Sequence, residues 1–237
     1  MAVESDGDAG GSASERVADF LRQAILSGDI GPGERIRQED IAARFGTSRL
    51  PVREAVRMLE IEGLTETQAN KGARVPHLTA HEVDVVYRMR EALEPLALAE
   101  STPQLPPGAI DELRRLQERI EDNAAQGGDV TLFLELDRKF HLGSYGACTV
   151  EPLASNVIRL WNVTQYYRRR FMEVSGARRM WIVNAEHRLL LDAIERRDVE
   201  DAANTLRGHI RRTRVELAAH PDIFRAPAAP GARSRNR

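Results

Sequence analysis

Residues 48–55 read Ser48-Arg49-Leu50-Pro51-Val52-Arg53-Glu54-Ala55, inside the longer run PGERIRQEDIAARFGTSRLPVREAVRMLEIEGLTETQANKGARV at residues 32–75. Pro51 suits a first helical turn, and Val52, Ala55, Val56 and Leu59 recur at the spacing of one buried helix face. Ahead of them a short helix over 38–45 ends at Gly46. Before the turn Gly31-Pro32-Gly33, an earlier helix carries Val17, Phe20, Leu21, Ala24 and Ile25 and closes at Ser27-Gly28, where a glycine adopts the left-handed cap. Helix, glycine turn, helix is the order of a helix-turn-helix. After Gly63, residues 64–67 and 73–75 flank the polar turn 68–72, which predicts a β-hairpin wing.

Charge supports a polyanion partner only locally. The 237-residue chain holds 34 Lys+Arg against 36 Asp+Glu, a net charge of −2, with 42% hydrophobic and 30% charged residues. Residues 12–78 carry ten basic and ten acidic groups, yet residues 35–57 hold six Arg (Arg35, Arg37, Arg44, Arg49, Arg53, Arg57) against Glu39, Asp40 and Glu54, a local charge of +3. In a winged helix-turn-helix the second helix of the pair enters the major groove. Arg at its N-terminal end bonds guanine O6 and N7, while hydroxyls and wing residues hold phosphates. Ser48, Arg49 and Arg53 stand at those positions, and Leu50, turned outward, offers apolar contact to a thymine methyl. Arg35, Arg37 and Arg44 are either phosphate neighbours or ordinary surface charge.

The 32–75 run closely resembles the winged helix-turn-helix of GntR-family transcription regulators, over about a quarter of the chain. The resemblance implies that Arg49 and Arg53 contact bases or phosphates and that Lys71-Gly72 forms the wing tip. Glu39 departs from it, since some relatives carry a basic residue at the start of that helix.

From residue 79 onward the pattern predicts six helices, over 79–101, 107–126, 129–145, 150–172, 179–197 and 199–219. Breakers fall at 103–107, Gly127-Gly128, Gly146, Ser175-Gly176 and Asp198, the last an N-cap. The expected fold is mainly α: a winged helix-turn-helix at 12–78, then an all-helical antiparallel bundle at 79–220. A disordered lead-in at 1–11 and a disordered tail at 221–237 complete the expected organisation.

Asp137 and His141, four residues apart, share a helix face with Val130, Phe133, Leu134 and Phe140, so both point inward and need partners. His187 lies on an apolar stripe with Val183, Leu190, Leu191 and Ile194, and His209 on one with Leu206, Ile210 and Thr213. Three imidazoles and a carboxylate from three helices suit Zn²⁺, or Ni²⁺ or Mn²⁺, with positions left for a ligand oxygen. His77, His81 and His220 fall at segment edges and are excluded. Arg90 lies in a stripe with Val83, Val86, Tyr87, Leu93 and Ala97, and its buried guanidinium requires an anion: either Glu94 or a ligand carboxylate. Tyr87 and Asn184 are further pocket candidates.

Asp137-Arg138-Lys139-Phe140-His141, Glu186-His187, Ala193-Ile194, Asp198 and His209-Ile210 resemble the FCD ligand-binding domain of FadR-type GntR regulators, over roughly residues 82–217. The resemblance implies a metal-containing helical domain that binds small carboxylates and dimerises, and six helices look like the VanR subgroup. Ala147-Cys148-Thr149 departs from a small-residue–Asn step in many relatives.

The expected function is therefore a homodimeric, cytoplasmic, DNA-binding repressor. Its operator affinity answers to a carboxylate bound at or beside a divalent metal, and it is not an enzyme. A single cysteine, Cys148, forms no internal disulfide, no apolar run approaches the ~20 residues of a membrane span, and the first dozen residues lack signal-peptide character. A metal-dependent hydrolase or lyase is the alternative from the same ligands. Against it, H-E-x-x-H, G-x-S-x-G and a phosphate-binding glycine loop are missing, and Glu186, adjacent to His187, is expected to point elsewhere. A constitutive DNA-binding protein with a purely structural metal is the third class.

Overall fold

The computed structural model describes residues 11–68 and 71–224, with the backbone alone at 176–178. The described residues fall into two compact units, divided between Pro76 and His77.

The first unit opens with α1, Ala13–Ser27. Ser12 and Glu15 form a reciprocal capping box at its start, and Gly28 closes it at φ 88°. Strand β1, Arg35–Ile36, leads into α2, Gln38–Arg44, and α3, Arg49–Ile61, whose buried residues are the expected Val52, Ala55, Val56 and Leu59. Strands β2, Glu66–Gln68, and β3, Gly72–Arg74, form the wing, with Thr67 opposite Ala73. The sheet has a third strand that the sequence did not announce. β1 pairs with β3 through Ile36 and Ala73, giving the order β1-β3-β2. Two residues are too few to show alternation, so β1 has no period to read. Val17, Leu21, Ile36, Val52, Leu59, Leu64 and Ala73 make one apolar core beneath these elements.

The second unit is helical. Its α-helices are α4, Ala80–Ser101; α5, Pro107–Ala125; α6, Val130–Ser144; α7, Glu151–Glu195; and α8, Val199–Ala218. Thr79 and Glu82 form a capping box on α4, while Asp129 and Asp198 cap α6 and α8 through their side chains. The expected break at Ser175-Gly176 does not occur, so the fourth and fifth helices of the sequence reading are one 45-residue helix. A mid-helix glycine costs only about 1 kcal/mol, and the Ser175 hydroxyl folds back onto the Phe171 carbonyl at 2.8 Å without ending the ladder. At 1.5 Å per residue α7 is about 68 Å long, and it packs on α4, α5, α6 and α8.

Between α7 and α8 the chain reverses at Arg197, φ 58°. Its guanidinium donates to the carbonyls of Thr102 and Leu105, holding this left-handed turn against the end of α4. The folded body also runs past the expected boundary at 220. Residues Pro221–Phe224 form a 3-10 turn that buries Ile223 and stacks Phe224 on Tyr167. The expected disordered lead-in and the rest of the tail lie outside the described residues, apart from Gly11. No helix among the described residues is long and apolar enough to cross a membrane.

Candidate functional site

Asp137 and His141 project from α6, His187 from α7 and His209 from α8, and the bundle brings all four together. One nitrogen of each of the three histidines lies within 4.8 Å of the others. The Nε2 atoms of His141 and His187 are 3.2 Å apart, and Asp137 Oδ1 stands 3.7 and 3.5 Å from them.

The other ring nitrogens are already committed. Nδ1 of His187 faces Gln117 Oε1 at 2.9 Å, Nδ1 of His209 faces Glu186 Oε2 at 2.7 Å, and Nδ1 of His141 lies 3.4 Å from the Tyr145 hydroxyl. The Gln117 amide nitrogen is turned to Glu121 and Asn184, so its oxygen is the atom offered to His187. Tyr145 gives its proton to Glu94, at 2.8 Å, and accepts from His141. Each Nδ1 therefore carries the proton, which leaves the Nε2 lone pairs of His141 and His187 facing one another. Lone pairs at this separation repel, and a shared cation removes the repulsion. Three imidazoles with protonated outer nitrogens beside a carboxylate are the donor set and outer support of a divalent metal site.

Burial disfavours charge on His187 and His141, pushing the first down to about 3 and the second well below its ordinary value. Burial alone would raise Asp137, but Arg168, His187 and His209 outweigh it and hold the carboxyl below its ordinary range. The Arg168 guanidinium bonds the outer oxygen, Oδ2, leaving Oδ1 turned to the histidines.

A small cavity of about 40 Å³, partly open to solvent, lies against this cluster. Tyr87, Arg90, Asp137, His141 and His209 line it, together with Trp161 and Arg168. Arg90 is buried, and its anion is Glu94, the internal partner, with Thr164 Oγ1 at 3.2 Å completing its shell. Glu94 is wholly buried and also accepts from Trp161 Nε1 at 3.0 Å. Asn184 is not in the cavity wall; its oxygen accepts from Gln117 at 3.4 Å, behind His187. Glu186 does not point away from the centre as expected. It reaches across to His209 and also pairs with Arg212, because neighbours on one helix diverge but a neighbouring helix brings a partner.

Arg168, Gln117 and Tyr145 escaped the sequence reading, whereas Glu94 was expected as one of the two possible partners of Arg90. Gln117 left a trace, a polar residue at a buried position of α5 among Leu113, Leu116 and Ile120. Arg168 left none, since its partner is 31 residues away.

At residue 78 the chain is tied to α7. Leu78 N–H donates to the Tyr167 hydroxyl at 2.6 Å, and that hydroxyl donates to the Leu78 carbonyl at 3.0 Å.

In the first unit, Ser48, Arg49, Arg53, Lys71 and Gly72 are exposed on α3 and the wing. Ser48 is the N-cap of α3 and makes no side-chain cap bond. Arg35, Arg49 and Gly72 line one cleft with Arg37 and Glu39. Arg49 and Glu39 form an ion pair at 3.1 Å, both more than 60% exposed, a geometry worth little to folding. Arg44 is partly engaged inside the unit, its guanidinium 4.1 Å above the Phe20 ring. Leu50 is 63% exposed, as its position required.

Residues 13–75 match the gntR family of bacterial regulatory proteins, and residues 85–212 match the FCD domain. The chain is similar to a probable D-xylose utilization operon transcriptional repressor of Paenarthrobacter nicotinovorans, 30% identical over 84% of this chain and 86% of that one. It is similar to the HTH-type transcriptional regulator YdhC of Bacillus subtilis (strain 168), 28% identical over 80% of this chain and 84% of its relative. Among solved structures, E. coli McbR/YncC superposes with a TM-score of 0.77 at 23% identity, covering 89% of this chain and 99% of the other.

Proposed function

The chain belongs to the gntR family of bacterial regulatory proteins as an FCD-domain member, a DNA-binding transcription regulator, and from that premise we propose a metal-dependent, carboxylate-responsive repressor. The observation that carries this reading is the convergence of His141, His187 and His209 with Asp137 beside a cavity that also holds Arg90 and Arg168. The bound ion, zinc by donor set with nickel or manganese as alternatives, supplies a positive charge to which a ligand carboxylate is drawn. Glu186, Gln117 and Tyr145 hold the three rings in register for it. Repression follows the relative named for the D-xylose operon. Two copies acting on a two-fold operator are the expected DNA-binding unit.

A ligand alters operator affinity only through its differential affinity for two arrangements of the protein. Operator binding is therefore to be measured on DNA upstream of its own gene, at one fixed salt, with metal stripped and restored, against a panel of carboxylates. The expected result is specific binding weakened by one acid only in the metal-loaded protein. An acid that binds without changing operator affinity, or one whose effect survives stripping, overturns the reading.

A further inference from the structure

The wall of the cavity is divided by chemistry. Tyr87, Arg90, Trp161 and Arg168 cluster together: the Arg90 guanidinium lies 4.9 Å from the Tyr87 ring and 4.5 Å from the Trp161 ring, and that of Arg168 4.2 Å from Trp161. Phe133, Phe171, Met172, Val183 and Ile210 present only carbon and sulfur. Phe133 and Met172 also line a second, adjoining groove of about 470 Å³ with Val130, Val174 and Met180. The apolar side of the cavity thus continues outward past these two side chains.

Within the polar cluster one group is unspent. The Tyr87 hydroxyl is buried and has no hydrogen-bond partner among the described residues. Burial keeps the phenol protonated, so it is a donor in search of an acceptor. Arg90 and Arg168 already pair with Glu94 and Asp137, whereas the Tyr87 hydroxyl has no acceptor of its own.

We propose that the effector is a carboxylate with an extended apolar body and a second acceptor oxygen beside the carboxylate, as in an arylalkyl 2-hydroxy acid. Its head meets the metal side and the Tyr87 hydroxyl, and its body passes between Phe133 and Met172 toward the outer groove. This rests on the carboxylate reading above and narrows it, because a sugar acid or a short polar acid leaves the apolar wall facing water. Burying a phenyl group there favours the longer acid by roughly tenfold to a hundredfold.

The test uses the metal-loaded full chain carrying Trp181→Phe, which removes the exposed one of its two tryptophans and leaves Trp161 to report on the cavity. Three probes are titrated by fluorescence and calorimetry: lactate, 3-phenyllactate and 3-phenylpropionate. Phenyllactate is expected to bind at least about tenfold more tightly than lactate. Phenylpropionate, which lacks the hydroxyl, is expected to fall several-fold behind phenyllactate, and Tyr87→Phe to close that gap. Met172→Glu, at the half-buried rim, is expected to weaken phenyllactate about tenfold and lactate by less than about twofold. Lactate binding as tightly as phenyllactate overturns the proposal. So does a failure of all three acids to bind while another carboxylate still shifts operator affinity, and in that case the underlying reading survives. Absence of any carboxylate effect on operator binding removes both.

Discussion

In residues 11–76 the groups offered to DNA are exposed, and the core beneath them is apolar, whereas in residues 77–224 Asp137, His141 and His187 are themselves core residues, each 2% exposed or less. The first arrangement separates recognition from stability. Ser48, Arg49 and Arg53 hang on a helix held by Val52, Ala55 and Leu59. The second makes them one network, since every buried charge at the centre is balanced by another, Asp137 by Arg168 and Arg90 by Glu94. A surface recognition helix changes specificity at little cost to its fold, and a buried polar network does not change without cost.

The strongest way to break this contrast is Asp137→Ala. It removes a proposed metal ligand and leaves Arg168 buried without its carboxylate, so urea unfolding of the second unit is expected to lose about 3–5 kcal/mol. Bound metal, by elemental analysis, should vanish as well. An unchanged unfolding midpoint would show that the buried network adds nothing to stability.

Acid offers a second lever, because all six histidines lie in the second unit. His187 is held down to about 3 when folded, so the unfolded chain takes up its proton first. Its contribution to stability is complete above about pH 6.5 and is lost as pH falls from there toward 3. At about 1.4 kcal/mol per unit, His187 alone costs the metal-free second unit roughly 2–3 kcal/mol over two pH units, and His141 adds to the loss in the same direction. Circular dichroism melts between pH 7 and 4.5 test this, and a pH-independent second transition would contradict it.

Arg53→Ala should show the opposite pattern. Operator affinity is expected to drop about tenfold to a hundredfold, the range for one bidentate base contact, while the unfolding free energy stays within about 0.5 kcal/mol of the parent. A large loss of stability would place Arg53 in the fold rather than at the interface.

The smallest effects sharpen the comparison most. Thr79 and Ser48 both stand at helix N-caps, but Thr79 bonds the backbone of Glu82 and Ser48 bonds none. Thr79→Ala should cost about 1 kcal/mol, and Ser48→Ala under about 0.5 kcal/mol, with a several-fold loss of operator affinity in the second alone.

The two units also differ in how far their sequences can be read. The reader was legible almost to the residue, since its helices are short, glycine-closed and amphipathic; only β1 lacked a pattern. In the sensor, Asp137, His141, His187 and His209 stood out as polar residues on apolar stripes. What periodicity does not carry is pairing between helices. Glu186 looked turned away because its own helix was the only frame of reference, and Arg168 left no signal because its partner Asp137 lies on another helix. The break at Ser175-Gly176 failed because a single glycine costs a helix only about 1 kcal/mol, too little to end a helix 45 residues long.

Tyr167 and Arg168 are neighbours on α7, one grasping the backbone of Leu78 and the other the carboxylate beside the histidines. Because the Tyr167 hydroxyl serves both the N–H and the C=O of a single residue, displacing it severs two bonds in one movement. The attachment is therefore two-pointed, and it stands one peptide bond along α7 from the residue that balances the charge of Asp137.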